Sequence, residues 1–349
     1  MIKKFADVLE IRNGKNQKAV ENPHGKYPIY GSGGLIGFAD DYICEANTVI
    51  IGRKGSINNP IFVEVPFWNV DTAFGLVADE RQILPQYLYY FCKHYNFEKH
   101  NKAVTIPSLT KTDLLEIQID IPDLNKQLDV IEKLQKIEAI VGIREQQLNK
   151  LNELIKARFV EMFGDPTYNP KGYKIKKLSQ LGELNRGVSK ARPRNSPELL
   201  GGPYPLVQTG EVTASELYIN TYENTYSEKG LAQSRMWPKG TLCITIAANI
   251  AQTAILNIDA CFPDSVVGFI PGKEVTQIYM HYWFTFFQKI LEEQAPQVAQ
   301  KNINLKILND LDVMVPERTL QEQFEKLVNQ TDKSKLMKFL DIFTNQHLS

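Results

Sequence analysis

"GKYPIYGSGGLIG", residues 25–37, is the stretch whose reading decides the fold. Its four glycines, Gly31, Gly33, Gly34 and Gly37, suggest a phosphate-cradling loop. The spacing argues otherwise. After Gly31-x-Gly33 a dinucleotide fingerprint needs a third glycine where Ile36 stands, and no GxxxxGK[ST] loop occurs in the chain. A second stretch, "GGPYPLVQTGEVTA" at 201–214, points the same way. Gly202-Pro203-Tyr204-Pro205-Leu206 answers Gly25-Lys26-Tyr27-Pro28-Ile29, and Gly210 alone is kept, at the place of Gly33. Glycines absent from the repeat are not those of a ligand loop, so the stretch reads as a strand and turn in a β-rich module that occurs twice.

Further matches keep the same order. Lys3-Lys4-Phe5 is answered by Lys176-Lys177-Leu178, "TVII" (48–51) by "TLCI" (241–244), and "DTAFGLV" (71–77) by "DSVVGFI" (264–270). Aromatic runs follow, "YLYYF" (87–91) and "MHYWF" (280–284), then "LLEIQIDIP" ending at Pro122 and "LNDLDVMVP" ending at Pro316. After each proline a helical segment begins, with Lys126-Gln127 set against Glu322-Gln323. Each half therefore reads as short Val-, Ile- and aromatic-rich strands punctuated by Gly, Pro and Asn, then an aromatic helix from about Pro85 to Tyr95 or Thr276 to Glu293 that packs into a core.

The segment between the halves differs in kind. From Leu124 to Phe163 there is no proline, and Val130, Leu134, Ile137, Val141, Leu148, Leu151, Ile155 and Met162 recur on a 4,3 spacing shared by Arg144 and Arg158. That period predicts a coiled-coil helix, ended by Gly164 and Pro166. A weaker pattern after Thr319, with Leu320, Phe324 and Leu327, predicts an antiparallel partner for it. The expected fold is α+β: two repeated modules, 1–123 and 164–316, with a central helix at 124–163 and a C-terminal helix at 317–349 forming a pseudo-twofold antiparallel coiled coil.

Composition bounds the function. Forty basic and forty acidic side chains in 349 residues give no net charge, so no general affinity for an acidic partner follows. The first ten residues lack the apolar run of a secretory signal, and "IYMHYWFTFF" at 278–287 is about half the length of a membrane span, so a cytoplasmic protein without a membrane is expected. Cys44, Cys92, Cys243 and Cys261 lack paired spacing, and no histidine completes a zinc pattern. Buried reduced thiols and no metal are expected.

The junction "RFVEMFGDP" (158–166), the segment "VAQKNINLKILNDLDVMVP" (298–316), and "VIIGRKGSI" (49–57) beside "PIYGSGGLIG" make the whole chain resemble the specificity subunit of a type I restriction-modification system. The resemblance implies that each module, a target recognition domain, reads one half of a bipartite double-stranded DNA sequence while the helices set the spacer. It also implies docking of two modification (methyltransferase) subunits on the helices and association with restriction/translocase subunits. Methyl transfer from S-adenosylmethionine, and cleavage with ATP and Mg, would belong to those partners, leaving this chain no cofactor and no catalytic residue.

A DNA reader needs cations against phosphate and amides or guanidinium groups at base edges. Neither module is basic overall, with thirteen basic against fifteen acidic side chains in 1–123 and fifteen against fourteen in 164–316, so contact must come from clusters. The candidates are Lys15, Lys18, Arg53 and Lys54 in the first module and Arg186, Lys190, Arg192 and Arg194 in the second, the last four with no acid between them. Gln300, Lys301 and Asn302, with Thr105 and Ser108 as first-module counterparts, are further candidates that could equally cap a helix. Other chemistry fits poorly. Asn59-Pro60-Ile61-Phe62 has isoleucine where an amino-methyltransferase motif has its second proline, and Pro263-Asp264 lacks a following Glu-x-Lys. The competing reading is a coiled-coil scaffold whose modules bind protein.

Overall fold

In the computed structural model, residues 1–101, 106–247, 250–287, 290 and 303–331 are described. Two compact units result, Met1–Glu145 and Gln146–Ser349, called unit 1 and unit 2 below.

Unit 1 opens with β1 (Ile2–Lys4), a single turn α1 (Phe5–Val8) and β2 (Leu9–Asn13). The decisive stretch is a hairpin, β3 (Tyr27–Gly31) and β4 (Gly34–Ala39), with Ser32-Gly33 as its tip and Gly34 at φ +125°, a conformation that suits glycine. The strand-and-turn reading therefore holds. Then come β5 (Thr48–Gly52), β6 (Ile61–Val63), β7 (Trp68–Asn69), β8 (Ala73–Ala78), α2 (Pro85–His94), α3 (Lys111–Leu115), β9 (Gln118–Asp120) and α4 (Leu124–Phe163). Every residue of β5 is buried, as a continuous apolar run in the middle of a sheet should be. Its sheet runs β2-β8-β5-β6, the hairpin's runs β4-β3-β7, and β1 pairs with β9. Leu88 and Cys92, one turn apart on α2, seal the core with Phe5, Phe74 and Leu76.

Unit 2 repeats this plan. β10 (Lys174–Lys177) pairs with β20 (Asp312–Val315). β11 (Gly182–Arg186) stands for β2, β12 (Leu200–Leu206) for β3 and, after an insertion of α5 (Thr209–Ala214) and β13 (Tyr218–Ile219), β14 (Asn224–Tyr226) stands for β4. Next come α6 (Glu228–Ala232), β15 (Met236–Trp237), β16 (Leu242–Thr245), β17 (Thr253–Leu256), β18 (Ala260–Cys261), β19 (Val266–Pro271), α7 (Gln277–Phe284) and α8 (Leu305–Asp310). The sheets run β11-β19-β16-β17-β13 and β14-β12-β18-β15. A final helix at 318–331 is α9.

The sequence matches prove to be structural equivalences. Ile29 pairs in parallel with Trp68, as Leu206 does with Cys261. A Cβ on Gly75 would lie 2.4 Å from the Cys44 sulfur, and one on Gly268 would lie 2.6 Å from the Trp237 ring, so both strands need glycine where a large side chain crosses them. A further equivalence joins them. Gly14 and Gly187 each press on the backbone before β8 or β19, and their amides donate to Ala73 O (3.2 Å) and Val266 O (2.8 Å).

In the helices the sequence register needs correction. "YLYYF" at 87–91 corresponds to "YMHYW" at 279–283, one residue before the expected match. Tyr87 Oη donates to Asp120 O and Tyr279 Oη to Met314 O, each acceptor two residues before the terminal proline. Likewise Gln127 matches Gln321 rather than Gln323. Each is fully buried, accepts a backbone amide (Leu84 or Thr276) and donates to two carbonyls (Gln82 and Pro122, or Glu274 and Pro316). The aromatic helices are core elements, as expected, with Tyr90, Tyr282, Trp283 and Phe284 buried.

The helix α4 is continuous over 40 residues and ends at Gly164, φ +81°. Its buried residues differ from the expected seam. Ile137 and Val141 remain 41% and 43% exposed, whereas Ile131, Phe159 and Phe163, off the 4,3 series, are buried. The reason is local. Ile155, Phe159 and Phe163 form an i, i+4, i+8 stripe that packs on a module core rather than on one facing helix. Phe324 of α9 meets Phe159 and Phe163, and one turn later Val328 lies with Asn152 and Ile155, so α9 runs antiparallel to this end of α4.

Candidate nucleic-acid interface

The loops that carry the predicted cations meet at one place in each unit, the turn that leads into β8 or β19. In unit 1, Gly14 follows β2 and donates to Ala73 O, and the Lys15 amide donates to Asn69 O at 2.9 Å. From the opposite side the Arg53 and Lys54 amides donate to Thr72 O at 2.8 and 3.3 Å. The hairpin tip closes the set, because a Cβ on Gly52 would lie 3.1 Å from Ser32 Cβ. Lys15, Arg53 and Lys54 are exposed around this junction, and Lys18 is exposed three residues beyond Lys15, where its amide donates to Asn16 Oδ1 rather than to the junction. Arg53 lies over the Phe74 ring at 5.7 Å, which fixes the guanidinium near the sheet end.

The Arg53-Lys54 turn is also tied to the segment carrying Ser108. Gly55, φ +83°, donates to Pro107 O, and Leu109 donates to Arg53 O. Thr105 lies outside the described residues, as do Gln300, Lys301 and Asn302.

Unit 2 builds the same junction with other residues. Gly187 donates to Val266 O and Ile246 to Ser265 O, so the loops after β11 and β16 flank Asp264-Ser265 as those after β2 and β5 flank Asp71-Thr72. All four predicted cations are exposed, Arg186 as the last residue of β11 and Lys190, Arg192 and Arg194 on the loop after it. No acid lies between them in the sequence, but the fold brings one to them. Asp264 bonds Arg194 through a carboxylate oxygen, lies 3.6 Å from Arg192, and accepts from Arg186 Nε at its backbone oxygen, 2.9 Å away. Seventy residues separate Asp264 from Arg194, beyond the reach of any local charge count. The repeat held the signal, since Asp264 heads the stretch matched to Asp71.

The acid orders the arginines rather than cancelling them. At 33% side-chain exposure it is less exposed than the two guanidinium groups it holds, 57% and 43% exposed, leaving a net positive, pre-positioned surface. Such a surface suits a phosphate backbone and leaves sequence reading to neighbouring groups.

Among the described residues no cluster of His, Cys, Asp and Glu could hold a metal, and no helix is long and apolar enough to cross a membrane. All four cysteines are buried free thiols, and burial pushes the Cys44 thiol up to about 12. None is a poised nucleophile.

Comparison with known proteins agrees with this picture of a duplicated module. A specificity subunit of Methanocaldococcus jannaschii, provisionally named for the type I restriction enzyme MjaX, is 22% identical over 275 residues, 74% of this chain and 63% of that relative, so the match spans less than two thirds of its length. The EcoBI type I restriction enzyme specificity subunit of Escherichia coli is 22% identical over 86% of this chain and 69% of its own. The crystal structure of the S subunit of the type I restriction-modification system of M. genitalium superposes with a TM-score of 0.55 at 16% identity, covering 99% of this chain and 92% of that one. The family model for the type I restriction modification DNA specificity domain matches at 1–153 and again at 170–345. With both of its units matched in this way, the chain belongs to the type I restriction modification DNA specificity domain family.

Proposed function

We infer that this chain is the sequence-specific DNA-binding specificity subunit of a type I restriction-modification complex, each unit reading one half of a bipartite duplex site. The observation that carries the reading is the equivalence of the two cation clusters. Lys15, Arg53 and Lys54 in unit 1 and Arg186, Arg192 and Arg194 in unit 2 are grouped around the same turn of the repeat. A protein-binding scaffold has no need to place cations at matching turns, whereas two half-sites on one duplex present the same phosphate geometry twice.

On this reading the chain supplies recognition and spacing only. The helices set the gap between half-sites and dock two modification subunits, and restriction subunits join that assembly in the cytoplasm. S-adenosylmethionine, ATP and Mg are bound by those partners, and no catalytic residue is assigned here.

Selection from a randomised duplex pool, with this chain co-expressed with its methyltransferase subunit, tests the reading. Two short motifs at one fixed separation are the expected outcome. An intact complex that enriches no motif, or one uninterrupted motif, would refute it. Neutralising Arg192 or Lys15 should weaken all sequences evenly and flatten the salt dependence by about one charge each.

A further inference from the structure

Beside Arg194 in unit 2 lies a cavity of about 320 Å³ whose lining includes Leu206, Tyr226 and Pro263 on the apolar side and Asn195, Gln208 and Asn224 on the polar side. Leu206 and Tyr226 are buried, Asn195 and Gln208 are exposed, and Asn224 is half-buried. Gln208 and Asn224 also border a second cavity of about 510 Å³, whose wall carries Glu211 and Glu223. The two amides thus divide a basic side, which attracts phosphate, from an acidic side, which repels it.

Strand register shows what stands at these places in unit 1. Ile29 and Leu206 are equivalent, each paired in parallel with the short strand before the turn. Across the antiparallel ladder Ile29 faces Gly37, and Leu206 faces Asn224. Two residues further along the strand, Gly31 stands where unit 2 has Gln208. Two of the three glycines without a counterpart, Gly31 and Gly37, therefore occupy the positions at which unit 2 carries its amides.

We propose that Asn224, flanked by Gln208 and Asn195, is the base-reading group of unit 2, with its carboxamide paired to an adenine edge in the major groove while Arg192 and Arg194 hold the adjacent phosphates. An amide is the side chain that matches adenine N6 and N7 together, and the apolar Leu206–Tyr226–Pro263 surface suits the methyl group of the paired thymine. Unit 1, bare at both positions, reads through the Arg53-Lys54 turn instead, so the two half-sites differ. This inference rests on the DNA-reading function proposed above.

The test is position-resolved selection from the randomised duplex pool with the full specificity–methyltransferase complex, comparing the parent with Asn224→Ala and Asn224→Asp. The parent should select adenine at a fixed place in one half-site. Asn224→Ala should relax that base pair by about tenfold while the other half-site and the salt slope stay unchanged. Asn224→Asp should turn the preference toward cytosine, whose N4 amine donates to a carboxylate. Parental preference in both variants, or an even loss over all sequences, would overturn the assignment and leave the bipartite reading standing. A parent complex that selects no bipartite motif would remove both.

Discussion

The two units share a plan and divide its work differently. Unit 1 puts Arg53 and Lys54 on the turn after its central strand and carries glycine at hairpin positions 31 and 37. Unit 2 has Ile246-Ala247 on that turn, carries its cations at the end of β11 and on the loop after it, and has Gln208 and Asn224 where unit 1 has those glycines. The same scaffold thus offers at least three loops to one junction, and charge can sit on any of them without disturbing the strands beneath. The supports differ too. The N-terminal part of α4 meets α2 through Glu138, which accepts from Tyr90 and Lys93 and is held below the usual carboxylate range chiefly by the lysine. Its C-terminal turns are locked by aromatic packing on Phe159 and Phe163.

That contrast predicts the largest effect. Phe159→Ala, which deletes a fully buried ring, should cost about 3–5 kcal/mol. Glu138→Ala, removing a partly exposed polar contact, should cost about 1 kcal/mol or less. Denaturant titration measures both, and similar losses would mean that the two parts of the helix are held alike.

Acid should separate the units next. His281 of α7 is buried, with a ring nitrogen 3.0 Å from Thr253 Oγ1, and burial lowers its pKa from 6.5 to about 4, while its unit 1 equivalent is Tyr89. A depressed folded-state value means that the unfolded chain binds the proton first. Unit 2 should therefore hold its full stability above about pH 6.5 and lose about 3 kcal/mol as pH falls through 4. Hydrogen exchange resolved by peptide should show α7 weakening before α2, and simultaneous loss would contradict this.

The paired glutamines sharpen the comparison at a lower energy. Gln127→Ala and Gln321→Ala each strand one buried backbone amide and two carbonyls, so each should cost about 2–3 kcal/mol, confined to its own unit. Unequal costs would show that the joints, though alike in geometry, differ in solvent access. The smallest effect is a gain. Added Cβ atoms at Gly31 and Gly37 would find neighbours no closer than 3.6 Å, so Gly31→Gln with Gly37→Asn should fit and give the unit 1 half-site a new preference for one adenine, by about fivefold to tenfold. A half-site unmoved by the graft would mean that backbone position alone does not make a reader.

The strands of this molecule were more legible in its sequence than the helices, for a physical reason. Gly25, Gly75, Gly202 and Gly268 survive in both copies because a neighbouring strand or ring leaves no room for a Cβ, and such constraints fix register to the residue. The aromatic helices keep bulk rather than position, so "YLYYF" aligned to "MHYWF" one residue out of phase. The heptad reading of α4 recognised a helix but placed its seam by a repeat that the terminal turns do not follow. The cation clusters were legible as local runs. Asp264 was not, since its partnership with Arg194 exists only once β19 lies beside β11. Gln208 and Asn224 were hidden because α5 and β13 intervene between β12 and β14, and only the ladder shows which residue faces Leu206.

The buried glutamine at the root of each helix has a consequence for how such a chain changes over generations. All of its recorded partners are main-chain atoms, so the joint places no demand on the side chains of the unit it fastens. A genetic crossover near Pro122 or Pro316 would deliver a foreign module to a helix that already has the socket for it. A new module could then be inherited in one event, with the glutamine joint intact from the first generation.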